Sequence, residues 1–138
     1  MNQSLSLPQR IILLWLVITL GMLFHQFFSL HNLRFGADVI KSGYDAVPVI
    51  EQVKRLTLYV LPLMYVAINV FWQNKTVAVL NVIAAPFYLV FHTWHVIHEW
   101  GSMTDPVQWV LLTFMIVWSL MLLVTAVRFL RTFLLRQT

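Results

Sequence analysis

This chain of 138 residues is 60% hydrophobic and only 10% charged, against the roughly 25% charged residues of a soluble domain. Such a balance excludes an ordinary cytosolic protein. Its net charge of +4 comes from basic residues at the ends of apolar runs, which speaks for anchoring at a membrane surface and against nucleic acid as a partner; the absence of cysteine removes disulfides, iron–sulfur clusters, thiolate metal sites and cysteine nucleophiles.

A short polar run from Met1 to Gln9, then Arg10, precedes an apolar stretch over residues 11–30, about the 20 residues that cross a hydrocarbon core of ~30 Å. The stretch is longer than the apolar region of a signal peptide and shows no small-residue cleavage site, so it reads as a retained transmembrane helix. Gly21 lies four residues before His25 and shares its face, a place where another backbone or a flat ligand approaches closely.

From His31 to Arg55 the chain carries Arg34, Asp38, Lys41, Asp45, Glu51, Lys54 and Arg55, too much charge to cross a bilayer. This segment is expected outside the membrane, with a short interfacial helix around Leu33 to Lys41. Pro48 suits the first turn of a second helix that enters the membrane at Leu56 and spans residues 56–72. Within it Pro62 predicts a kink, and Tyr65 and Asn69 share one face as interhelical hydrogen-bonding groups.

The polar turn Gln73–Thr76 is short enough to make the second and third helices antiparallel neighbours. A third span over residues 77–100 contains Pro86 and carries Asn81, Tyr88, His92, His95 and Glu99, with Ala85 among them, all within about 60° of one another by helical projection. Such a stripe belongs in the bundle interior, because lipid would leave it unsatisfied. After a turn at Gly101–Thr104, Asp105 can cap a fourth helix opened by Pro106, with Gln108 as its capping-box partner. That span, residues 106–130, is the most uniformly apolar and ends in the basic tail Arg128, Arg131 and Arg136. The expectation is a single all-α domain, an antiparallel integral membrane four-helix bundle. Both termini are assigned to the cytoplasmic face of a bacterial inner membrane, on the slight bias of Arg10, Lys75 and the basic tail over Arg34, Lys41, Lys54 and Arg55.

The chemistry concentrates in Phe91–Trp100, FHTWHVIHEW. On a helix His95 lies about 60° from His92 and Glu99 about 20° from it, so the three share a face, while His98 falls about 120° away on the flank, toward solvent or headgroups. His92, His95 and Glu99 would offer an N,N,O face to a transition-metal ion such as zinc, iron, nickel or manganese, with His25 of the first helix as a fourth ligand. Pairing His25 with His92 or His95 would alternatively hold haem b, with Gly21 making room for the macrocycle. The spacing is not H-E-x-x-H, so a metalloprotease is not implied. The same groups serve equally well as a hydrogen-bonded cluster that fixes helix packing.

Glycine-rich phosphate loops, a G-x-S-x-G turn and paired buried carboxylates are absent from the sequence, which leaves nucleotide use, serine hydrolysis and glycoside hydrolysis without their groups. Trp94, Trp100 and Trp109 read as anchors at one membrane surface and Trp72 at the other. The six methionines are dispersed along the chain and suggest no copper relay. Two functional classes follow: a membrane protein binding a transition metal or haem near the outer surface for metal handling or electron transfer, or a non-catalytic subunit whose apolar surfaces engage a larger membrane complex or a second copy.

Overall fold

The computed structural model describes residues 4–31, 34, 47–100 and 106–135. Among them the chain forms four long helices: α1 (Leu7–His31), α2 (Val49–Phe71), α3 (Lys75–Glu99) and α4 (Pro106–Leu134). All four are long and apolar enough to cross a membrane. The expected interfacial helix at Leu33 to Lys41, the turn at Gly101–Thr104 and the Asp105 cap lie outside the described residues.

The starts of α1 and α3 lie before the spans that hydrophobicity alone outlines, because capping groups precede the apolar runs. Ser6 donates its backbone N–H and its hydroxyl to the Gln9 side chain at 2.9 and 3.0 Å, and the Arg10 N–H reaches the Ser6 carbonyl at 3.0 Å. The Gln9 side chain returning to the Ser6 N–H is one half of a capping box, at the start of α1 at Leu7. Asn74 accepts the Val77 N–H at 3.0 Å, so α3 starts at Lys75, two residues before the expected Val77. The second helix begins at Val49, directly after Pro48, as the proline's suitability for a helix's first turn leads one to expect.

Pro62 shapes α2 by a route other than a simple kink. Residues Leu56–Val60 form a π-helical turn, in which the Leu61 N–H bonds back to the Leu56 carbonyl five residues earlier. In that register the Thr57 carbonyl needs the N–H of residue 62, and proline has none. The Tyr88 hydroxyl of α3 supplies the missing donor at 2.6 Å. A backbone defect in one helix is thereby satisfied from another, as an apolar surrounding requires.

α4 packs along α3 and α1, and α1 packs along α2, whereas α2 and α3 touch only thinly and no Cα atoms of α1 and α3 approach within 8 Å. Helices α1 and α3 therefore face each other across the bundle, and only side chains meet between them. The interior is unusually polar for its depth: Thr19, His25, Asn69, Asn81, His92, Gln108 and Ser119 are buried, while Leu20, Phe24, Ile83, Phe87, Val90, Phe114 and Leu120 are exposed. Apolar residues outside and hydrogen-bonded polar residues inside are what a lipid solvent selects. Small buried residues, Ala78, Ala84, Ala85, Ser119 and Ala126, let the backbones approach.

Trp15 is the hub of this interior. Fully buried, it stacks on Tyr65 of α2 at 4.7 Å and meets Tyr88 of α3 edge-on at 5.1 Å. Its indole N–H donates to Asn81 at 2.8 Å. Asn81 and Asn69 exchange amide hydrogen bonds at 2.8 and 3.2 Å, and each also donates to its own helix, to Val77 and Tyr65. One layer thus ties α1, α2 and α3 together, in keeping with the interhelical role expected of Asn69. The Tyr65 hydroxyl lies 3.4 Å from the Leu80 carbonyl, a long contact that contributes little.

Candidate functional site

Beyond the Trp15 layer, side chains from α1 and α3 meet twice more across the bundle. His25 of α1 and His95 of α3 bring their Nε2 atoms to 3.1 Å, with the rings nearly perpendicular at 88°. His95 stacks in turn on Phe91 at 5.9 Å, one helical turn back. One turn deeper, His92 Nε2 lies 3.3 Å from the Met22 sulfur, and its Nδ1 lies 2.9 Å from the Ser119 hydroxyl of α4. His92 is fully buried and His25 nearly so; His95 and Glu99 are half-buried.

His95 is four residues from the end of α3 and His25 six from the end of α1, so the pair sits about 6 to 9 Å below the helix termini at 1.5 Å per residue. Glu99, the last residue of α3, acts electrostatically on both His25 and His95. His92 lies one turn before His95 on the same helix. All four groups singled out in the sequence therefore occupy one end of the bundle. His98 is exposed and stacks on Trp94 at 5.0 Å, on the flank as expected. Trp100 and Trp109 pack edge to face at 4.8 Å at this same end, where aromatic anchors collect.

The arrangement differs from the three-ligand face drawn from helical projection. Among the described residues, no three His, Asp or Glu side chains gather as a set that could hold a metal ion. The stripe is divided because His92 turns toward Met22 and Ser119 while His95 reaches across to His25. Sharing a face of one helix sets a direction; the residues opposite decide which nitrogen meets which donor.

The haem arrangement meets a geometric obstacle here. Two axial imidazoles hold their nitrogens about 4 Å apart, twice a metal–nitrogen bond of about 2 Å, with the macrocycle between them. His25 and His95 are closer than that. Gly21 does permit a close approach, but α4 uses it: a Cβ there would lie 3.0 Å from Met115 Cγ, 3.2 Å from its sulfur and 3.4 Å from Trp118.

Met22 and Ser119 are the participants that sequence reasoning missed. A signal for Met22 was present, since it stands three residues before His25 as His92 stands three before His95, which gives two matching one-turn pairs on facing helices. Ser119 carried none, being one hydroxyl among several in α4. Compared with known protein families, curated protein sequences and solved structures, the chain matches none.

Proposed function

We propose that this chain is a small integral membrane protein that binds a transition-metal ion between His25 and His95, with Glu99, one turn beyond His95 and not gathered with the pair as the structure stands, recruited as an oxygen donor on binding, and serves metal handling or, with a redox-active ion, electron transfer. The carrying observation is the 3.1 Å separation of the two Nε2 atoms across the bundle. Two imidazoles on one ion, each bonded at about 2.0–2.1 Å and subtending an angle between octahedral and tetrahedral, hold their nitrogens about 3 Å apart. A neighbouring carboxylate is the complement such a pair needs, and an N,N,O set suits zinc, iron, nickel or manganese.

In this reading the helices alternate in direction, supported by the order of contacts: Trp15 with Asn81, Met22 with His92 and His25 with His95 advance together along α1 and α3. Both termini then face the cytoplasm of a bacterial cell, and the site opens near the outer surface. The second reading, a non-catalytic subunit of a larger membrane complex, draws on the Trp15, Asn81 and Asn69 layer, whose bonds serve helix packing alone.

The test is metal content and titration with Zn(II) and Co(II) on protein purified in detergent without a polyhistidine tag or chelator, with an absorption spectrum on the same sample. Near one equivalent is expected for the wild type and for His98→Ala, and none for His25→Ala with His95→Ala. Unchanged content in the double variant refutes the assignment, a Soret band redirects it to haem, and a folded protein that binds neither ion transfers the case to the subunit reading.

A further inference from the structure

One turn below the His25–His95 pair, the hydrogen bonds around His92 depend on where the Ser119 hydroxyl sends its one proton. The Ser119 hydroxyl donates to the Met115 carbonyl at 2.8 Å. Helix hydroxyls throughout this bundle bond backward in the same way: Thr19 to Trp15, Thr93 to Leu89, Thr113 to Trp109 and Thr125 to Met121. A hydroxyl carries one proton, so with that proton on Met115 the Ser119 oxygen accepts from His92 at 2.9 Å. The opposite tautomer gives an Nε2–H to the Met22 sulfur, whereas in this assignment His92 is the Nδ1–H tautomer and Nε2 keeps its lone pair.

That bare nitrogen faces the Met22 thioether at 3.3 Å, and a thioether has no proton to give. Two electron-pair donors thus confront each other in a buried, uncharged surrounding, an arrangement that a cation between them would complete. Fixing one imidazole nitrogen through a hydrogen bond so that the other can bind is also the usual support of a metal-ligating histidine.

We propose that Met22 and His92 form a second metal station, one helical turn deeper than the outer pair, selective for monovalent copper. Thioether with imidazole is a soft donor set, unlike the N,N,O set above it, and soft donors favour Cu(I) over the divalent ions. Met115 is fully buried in one cluster with Met22 and lies against Gly21, and is the nearest other thioether from which a third donor would be drawn. The assignment goes beyond the outer His25–His95 reading and uses different residues, so either can fail alone.

The experiment is anaerobic Cu(I) titration of the full chain in detergent against a chromogenic Cu(I) chelator, with Zn(II) titrated in parallel and X-ray absorption on the copper form. One Cu(I) with a sulfur scatterer is expected. Met22→Leu, a volume-conserving change that a core tolerates, is expected to weaken Cu(I) at least about tenfold and remove sulfur from its shell while leaving Zn(II) binding as in the wild type; His25→Ala with His95→Ala is expected to do the reverse. Cu(I) bound no more weakly by Met22→Leu, or bound through nitrogen alone, overturns the proposal and makes the Met22–His92 contact an N–H to sulfur hydrogen bond. A wild-type chain that binds Cu(I) but no Zn(II) sinks only the outer reading, and a wild-type chain that binds neither ion sinks both.

Discussion

Replacing Tyr88 with Phe removes one oxygen and leaves the ring in place, so its effect isolates the hydrogen bond to Thr57. The acceptor is a backbone carbonyl whose in-register donor is missing because residue 62 is proline. Leaving such a group unsatisfied in an apolar interior costs about 1–3 kcal/mol. Interhelical side-chain bonds in membranes average about 0.6 kcal/mol, because the separated helices find other partners. Thr57 has no intrahelical alternative in this register, so the expected loss is about 1–2 kcal/mol, a factor of roughly 5–30 in the folded-to-unfolded ratio. Pro62→Ala supplies the check, since residue 62 then carries an N–H. In that background Tyr88→Phe should cost at most about 0.5 kcal/mol, the coupling that a double-mutant cycle reads as non-additivity. Equilibrium unfolding in mixed micelles, followed by far-ultraviolet circular dichroism, measures all four proteins. Equal losses in both backgrounds would refute the reasoning and assign the tyrosine's effect to something other than the proline.

Two further outcomes are expected from the same assay. Asn81→Leu strips the Trp15 indole N–H of its acceptor and Asn69 of its carboxamide partner, so the fold should lose about 1–3 kcal/mol; a change below about 0.5 kcal/mol would mean that the polar layer contributes shape alone. Gly21→Ala places a methyl 3.0 Å from the flexible Met115 side chain, and the crowding is largely offset by the roughly 1 kcal/mol advantage of alanine over glycine in a helix. Gly21→Val should instead cost about 1–3 kcal/mol by overpacking, and a neutral valine would show that α4 does not use the glycine.

The helices were legible because 3.6-residue periodicity and long apolar runs are local properties, as were the inward stripe of α3 and the outward placement of His98. Helix starts were less so: Ser6 with Gln9 and Asn74 act from outside the apolar runs, and hydropathy weights the runs. The π turn in α2 was half legible. Pro62 announces a missing donor, but only the position of Tyr88 on another helix shows which carbonyl is rescued. At the candidate site, projection placed His92, His95 and Glu99 together on α3, yet it could not divide them, since that depends on which α1 and α4 side chains stand opposite. His25 meets His95, and Met22 and Ser119 take His92, because α1 faces α3 across the bundle while α4 lies alongside.

The three meeting points of α1 and α3 differ in how their polar groups are satisfied, and this difference separates support from chemistry. At Trp15 every donor has an acceptor: the indole bonds to Asn81, and the two asparagines bond to each other and to their own helices. Nothing is left there to bind a ligand, so the layer fixes the spacing and register of the diagonal. At Met22–His92 and His25–His95, nitrogen faces sulfur and nitrogen faces nitrogen, contacts that one imidazole N–H bridges as a hydrogen bond or a cation bridges in its place, and the backbones restrain their spacing. The satisfied layer below, with α4 filling the space at Gly21, supplies that restraint. It follows that Asn81→Leu, although remote from any proposed ligand, should weaken metal binding at both stations along with the fold. A polar membrane interior of this kind is preorganised by its fully bonded layer, and at the two histidine contacts a cation competes with a single proton.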